Sequence, residues 1–301
     1  MEQQNTRSAF VAIVGKPNVG KSSLLNKLLG EKVAIVTNKP QTTRTKITGV
    51  LTKNEVQYVF IDTPGFHKAK TKLSDSMIKA VNTSIKDVDI VMMVVEPSGK
   101  LTQAELDLIE NIKQQKIPSI LIINKIDLIS NKELLVARIE QIMQLHSFDA
   151  VIPISVQENN GVDLVLAELD KYAEEGVHFF PDDTLTDQPE RVIVSEIIRE
   201  KILLNLHQEI PHGTAVVIEK MREREGKDIM DIDAMIYCEK DSHKGMIIGK
   251  KGAVLKRIAS TARTDIEEFL GVKINLQCWI KVREDWRNKE SFIRNFGLSD
   301  N

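Results

Sequence analysis

GKPNVGKS, residues 15–22, decides how the first half of this chain is read. It satisfies the phosphate-loop spacing and stands between the apolar run FVAIV and the helical pattern SSLLNKLLG. Strand, glycine-rich turn and helix in that order let the backbone of Gly15, Asn18, Val19 and Gly20 face a β-phosphate at a helix N-terminus. Lys21 can then bridge the outer phosphates, and Ser22 can ligand Mg²⁺. The loop alone leaves the base of the nucleotide open.

Two segments further on decide the base. DTPG at 62–65 follows the strand-like VQYVFI, which puts Asp62 at a strand end, where it can hold Mg²⁺ through water, and the N–H of Gly65 where it can meet a γ-phosphate. NKID at 124–127 ends the run SILIIN. The two carboxylate oxygens of Asp127 match the N1–H and 2-amino donors of guanine, a pair that adenine lacks. Asn124 can tie this loop to the phosphate loop, and the stem of Lys125 can cover the base. The three motifs in this order predict a site for GTP and GDP with Mg²⁺.

Working outward, residues 9 to about 175 alternate short apolar runs (AFVAIV, VQYVFI, DIVMMVV, SILIIN, VIPIS) with segments of helical period. Strands alternating with helices imply an α/β P-loop G domain with a mostly parallel, doubly wound sheet over residues 1–175. Residues 176–190, GVHFFPDDTLTDQPE, hold two prolines and no apolar period and read as a linker. Residues 191–301 form an α+β unit: a helix near 190–207, strands near 214–224 and 229–239, two helices around a GKKG turn, and a strand near 273–283. In the tail, Trp286, Phe292, Ile293 and Phe296 are spaced for one face of a helix that packs.

The second motif is MIIGKKGAVLKRI, residues 246–258. It lacks the spacing of a phosphate loop, and the preceding KGMII is helix-like rather than a strand. The chain has 41 Lys+Arg against 43 Asp+Glu, a formal charge of −2, so any nucleic-acid site has to be local. Residues 240–263 supply one: Lys240, Lys244, Lys250, Lys251, Lys256, Arg257 and Arg263 face only Asp241, seven charges less one, a net +6. Such a run by itself is also what a solvated face looks like. An aromatic content of 5% disfavours a base-stacking sheet platform. No apolar run approaches the eighteen or so residues of a membrane span. MEQQNTRSAF lacks the basic start and apolar stretch of a signal peptide, so a cytoplasmic location is expected. Cys238 and Cys278, the two cysteines, fit neither a disulfide framework nor a zinc pattern and are expected to be buried thiols.

The first-domain motifs resemble those of the translation-factor-related GTPases. That resemblance implies that PQTTR, residues 40–44, is the first switch, with Thr42 or Thr43 joining Mg²⁺ when the γ-phosphate is present. It also implies that Ser155 is the last guanine-loop element, although the family usually has alanine where this chain has Val156. Phe66 stands where other GTPases place a water-orienting glutamine, and similar proteins with an apolar residue there are slow hydrolases. Many of them recruit K⁺ through an asparagine at the position of Asn18. No side chain is an obvious general base.

IIG, the GKKG turn and the helix AVLKRI resemble a KH domain, and the element order resembles its type II form. In such domains the Gly249–Gly252 turn approaches single-stranded nucleic acid. Lys250 and Lys251, with Lys256 and Arg257 beyond them, would attract phosphates, while Ile247 and Ile248 would floor a groove for bases. The pairing of the two domains resembles the Era family of bacterial GTPases. The resemblance implies binding near the 3′ end of 16S rRNA, action on the small (30S) ribosomal subunit, and peripheral contact with the cytoplasmic face of the membrane. No DNA partner is expected. The competing reading is a GTPase signalling switch whose second domain binds protein or membrane.

Overall fold

The computed structural model describes residues 6–65 and 71–298. The chain forms two compact units, divided between Asp187 and Gln188, and residues 35–42 and 71–73 group with the second.

The first unit contains, in order, β1 (Arg7–Val14), α1 (Lys21–Leu29), β2 (Ile47–Lys53), β3 (Val56–Asp62), α2 (Lys72–Lys86), β4 (Ile90–Val95), α3 (Gln103–Gln115), β5 (Ser119–Ile123), α4 (Lys132–Met143), β6 (Ala150–Pro153), α5 (Val162–Leu169) and β7 (Glu174–Glu175). The sheet order is β2-β3-β1-β4-β5-β6, with β7 pairing beside β1. β2 is antiparallel to β3, and the other pairings along that path are parallel. Alternate residues of β1 supply opposite faces: Val11 and Ile13 join one core with Leu24, Leu25 and Val165, whereas Ala12 and Val14 join another with Val81, Leu108 and Ile142. That two-faced burial is why these strands read as continuous apolar runs, and it makes the sheet doubly wound. In such sheets ligands bind beyond the carboxyl ends of the strands, and here the motif loops emerge there.

β2 and α2 carry little signal in the sequence, and β7 is only two residues long. β2, ITGVLTK, carries a glycine in mid-strand and a weak apolar signal, but Asn54 beside it (φ 55°) turns the chain into the β2–β3 hairpin. α2 buries Leu73, Met77, Ala80, Val81 and Ile85 at helical spacing within an otherwise polar segment.

Much of the 176–190 stretch is fixed to the first unit. The Val50 N–H donates to the Leu185 carbonyl (2.8 Å), and Thr186 Oγ1 donates to the Thr48 carbonyl (2.6 Å). Gln57 grips it with both ends of its amide: Oε1 accepts from the N–H groups of Phe179 and Phe180, and Nε2 donates to the Phe180 carbonyl. The stretch has no apolar period because it covers the free edge of β2 instead of entering a core.

The second unit follows the expected order: α6 (Glu190–Asn205), β8 (Ala215–Glu223), β9 (Ile229–Cys238), α7 (Asp241–Ile248), α8 (Ala253–Leu270), β10 (Lys273–Val282) and α9 (Glu290–Asn295). β9 is central, antiparallel to β8 and parallel to β10. α6 and α8 pack on it through Ile193, Ile197, Ile198, Ile258, Ala262 and Ile266. The aromatic tail differs from the expected single helix. Trp286 sits in a 3₁₀ turn and donates its indole N–H to the Gly213 carbonyl (2.9 Å), and Lys289 is extended before α9 begins. The aromatic residues still gather, with Phe296 at 4.5 Å from Tyr237 and 5.4 Å from Trp286 between ring centroids. Cys238 is buried, whereas Cys278 on the edge strand β10 is only half-buried, its thiol pushed up to about 11 by its surroundings. Among the described residues no helix is long and apolar enough to cross a membrane.

Candidate nucleotide and nucleic-acid sites

The phosphate loop connects β1 to α1, whose N-cap Gly20 adopts φ 100° and carries no capping side chain. The first-turn N–H groups of α1 therefore have no side-chain acceptor at the cap and are suited to an anion. A Cβ at Gly20 would collide with the Asn124 amide, so glycine is required there by packing as well as by backbone angle. Val19 is buried beneath the loop, and Asn18, also left-handed (φ 66°), lies exposed on it. Gly65 comes against Pro17 of the same loop. Lys21 is buried, and its Nζ donates to the carbonyls of Gly15 and Lys16, each at 3.0 Å. Burial lowers its ammonium to about 8, and the charge of Asp62 opposes that shift.

Three oxygen-bearing side chains converge below the loop. Ser22 Oγ donates to Asp62 Oδ2 (2.6 Å) and lies 2.9 Å from Thr43 Oγ1. Burial raises the Asp62 carboxyl to about 6 against the pull of Lys21 and the Ser22 hydroxyl. Asp62 Oδ1 is buried with no hydrogen-bond partner among the described residues. A carboxylate with an orphaned buried oxygen beside two hydroxyls is a donor set for a hard cation such as Mg²⁺. Thr42 and Thr43 are placed differently here. Thr42 Oγ1 donates to the Lys39 carbonyl (2.7 Å) and sits 2.7 Å from Thr37 Oγ1, away from this group. Phe66 lies outside the described residues.

A cavity of about 350 Å³ opens beside the loop, lined by Gly20, Ser23, Asn124, Lys125, Asp127, Leu128, Val156 and Gln157. Asn124 is buried and spans three segments: its Nδ2 donates to the Val19 carbonyl (2.8 Å), and its Oδ1 accepts from the Val156 N–H (3.2 Å). The buried Ser155 hydroxyl donates to Asp127 Oδ1 (2.6 Å), which orients the carboxylate. Lys125, held at φ 68°, donates from Nζ to the Asn18 carbonyl (2.6 Å) and to Glu96. Valine at 156 leaves the backbone N–H free to serve Asn124. Glu96 has no motif to announce it.

In the second unit, GKKG joins α7 to α8. Gly249 (φ 71°) has no room for a Cβ against Val254, while Gly252 (φ 78°) faces open space and is needed only for its angle. Lys251 adopts φ 51°, and Lys250, Lys251, Lys256 and Arg257 are all exposed. Ile248 is partly exposed. Ile247 corrects the expected groove floor: it is fully buried in the core with Ile258 and Ile274, because α7 turns that side chain inward to anchor the loop.

Residues 35–42 pack within this second unit, along α6. The Val36 N–H donates to Glu200 Oε1 (2.9 Å), and the guanidinium of Arg199, buried and paired with Glu196, donates to the carbonyls of Gln41 and Thr42. No motif flagged Arg199 or Glu200. The available signal was two charged residues inside the apolar period of α6.

Comparison with known proteins adds the following. Residues 10–125 match the family model described as 50S ribosome-binding GTPase, and residues 209–287 match KH domain. GTPase Era of Clostridioides difficile is 50% identical over 294 residues, covering 98% of this chain and 99% of the relative. GTPase Era of Ruminiclostridium cellulolyticum is 50% identical over 295 residues, 98% of each. Two solved structures match at a TM-score of 0.94 and 36% identity, covering 98% of this chain and all of theirs. One is a point variant of Aquifex aeolicus Era bound to GDP·AlF4⁻, and the other is Era in complex with MgGDPNP and nucleotides 1506–1542 of 16S ribosomal RNA.

Proposed function

The chain belongs to the Era family of GTPases, and from that premise we propose that it is a nucleotide-gated RNA-binding factor in small-subunit assembly. It hydrolyses GTP to GDP and phosphate. The phosphate loop with Lys21 would hold the phosphates, Gly65 would sense the γ-phosphate, and Asn124, Lys125, Asp127 and Ser155 would select guanine. Mg²⁺ would be held by Ser22 and Thr43 with Asp62 beside them, and it would neutralise charge on the phosphates. With no general base among the described residues of the constellation, catalysis would rest on positioning and electrostatics and be slow. Asn18 would be the ligand of a K⁺ ion, a reading tested by comparing hydrolysis in K⁺ and Na⁺ for native and Asn18→Ala protein.

The RNA would be single-stranded and taken at Gly249–Gly252, with Lys250, Lys251, Lys256 and Arg257 meeting its phosphates and Ile248 at the groove. The 3′ end of 16S rRNA is the target the family points to, and the 30S subunit its setting. Peripheral contact with the membrane from the cytoplasm rests on family resemblance alone.

One observation carries the gating. Thr42 is bonded within the second unit by Arg199, and the next residue, Thr43, is bonded within the first to Ser22. A γ-phosphate and metal that reset Thr43 would therefore act on a segment that α6 holds, a two-state element of the kind GTPases use. The test is binding of a short single strand with the 16S 3′-end sequence to the native chain and to Lys250→Asp with Lys251→Asp, each with GTP analogue and with GDP. Binding that is stronger with the analogue and lost in the double variant is expected. Binding that ignores the substitutions would make GKKG only a turn, and equal binding in both nucleotide states would remove the gate.

A further inference from the structure

Glu96 follows β4 immediately and belongs to none of the motifs. Its carboxylate joins two loops of the nucleotide site. Oε2 pairs with Lys16 Nζ of the phosphate loop, and Oε1 with Lys125 Nζ of the guanine loop, both at 2.8 Å. Lys125 completes a triangle by donating to the Asn18 carbonyl at 2.6 Å. All three side chains are partly shielded, at 20%, 29% and 30% exposure for Lys16, Glu96 and Lys125, so their attraction is less screened than at an open surface. Burial alone would raise the Glu96 carboxyl, but the two lysines outweigh it and hold it below the usual range.

The backbone that carries this carboxylate is also anchored. Arg138 of α4, itself buried, donates from Nε to the Glu96 carbonyl (3.3 Å) and from Nη1 to the Gly99 carbonyl (3.0 Å), which fixes the loop after β4. Lys125 carries three donors on a flexible stem, and such a side chain covers a base steadily only if its head is tethered.

We infer that Glu96 is a positioning residue for nucleotide retention, a clasp that holds Lys125 across the guanine cavity and ties it to the phosphate loop through Lys16. It touches neither base nor phosphate and acts through the two lysines. Asn124 makes a parallel tie through neutral hydrogen bonds, so the two loops are joined three ways: by a buried amide, by the Lys125–Asn18 hydrogen bond and by the ionic bridge of Glu96. This inference rests on the guanine-loop reading, which Asp127→Asn tests separately. If that variant changes base preference and the clasp variants leave retention unchanged, only the clasp fails.

The experiment is release of fluorescently labelled GDP from the full-length chain, chased with unlabelled GDP. Glu96→Gln is expected to speed release about ten-fold, the combined loss of two partly shielded ion pairs. It should raise KM for GTP while kcat changes far less, a split that a general loosening of the fold would not give. In a Lys125→Met background, Glu96→Gln should add less than about two-fold, since its main partner is already gone. Lys16→Gln removes one arm, should give an intermediate rate, and stands in for Glu96→Gln if that variant does not fold. Release within about two-fold of native in Glu96→Gln, or the full effect persisting without Lys125, would overturn the assignment.

Discussion

The nucleotide site and the GKKG turn both depend on lysine and glycine, yet they use them in opposite ways. Lys21 is 6% exposed, in contact with backbone carbonyls and near a buried carboxylate, whereas Lys250 and Lys251 stand in solvent on a tight turn. In the first region, selectivity would come from groups that cannot be satisfied by the wrong partner, so single atoms should matter and salt should matter little. In the second, attraction is shared among exposed charges, so effects should be graded and strongly salt-dependent.

The sharpest way to break that contrast is at Asp127. Its carboxylate is set by Ser155, and Asp127→Asn replaces one acceptor with a donor that suits xanthine. Preference for GTP over XTP should fall by a factor on the order of 10⁴, read from competition binding, with little dependence on salt. An unchanged preference would remove Asp127 from the base pocket. At the turn, Lys250→Gln with Lys251→Gln should weaken RNA binding by about 100-fold at moderate salt and flatten the salt dependence of log K by about 1.4, two phosphate contacts on a single strand. A lost affinity with an unchanged slope would mean that the turn had been deformed rather than discharged.

A smaller effect separates neighbours in the chain. Thr43 reaches Ser22, while Thr42 is bonded to Lys39 and Thr37. Thr43→Ala should cost about ten-fold in preference for GTP analogue over GDP, roughly 1.4 kcal/mol, and Thr42→Ala about two-fold or less. Reversal of that order would exchange their roles.

How legible each region was follows from the same contrast. The phosphate and guanine loops could be located in sequence because the chemistry demands fixed residue types at fixed spacing between a strand and a helix. In the structure Ser155 bonds to Asp127, and the residue after it, Val156, bonds to Asn124. The element order of the second unit was equally readable, since each apolar period is long and bounded by glycines. Glu96, Arg199 and Glu200 were not, because ion pairs and carbonyl contacts between distant segments have no local period. Ile247 was misassigned for a related reason: adjacent isoleucines on a helix point in different directions, and sequence alone does not say which one faces the core. Residues 176–190 read as a linker because edge-covering chain needs backbone hydrogen bonds and a few side-chain grips rather than an apolar stripe.

The smallest predicted effect concerns the cost of keeping the nucleotide site charged when it holds neither nucleotide nor metal. Asp62 has its folded carboxyl raised to about 6 from 3.8, so between those values the folded chain holds more protons than the unfolded one, and stability rises as pH falls through 6. Lys21 is lowered to about 8 from 10.5, so between those values the unfolded chain holds more protons, and stability rises as pH climbs through 8. Both groups are charged between about 6 and 8, and there their burial costs the folded state most. Removing one would strand the other, so the informative variant removes both. Lys21→Met with Asp62→Asn should raise the melting temperature of the first domain by about 2–4 °C at pH 7 while GTP binding is lost. The gain should shrink at pH 5 and at pH 9, where one native group has already discharged. A gain independent of pH would trace the stabilisation to packing. A loss at pH 7 would mean that the native pair, with its hydroxyl and carbonyl partners, is already compensated before any phosphate arrives.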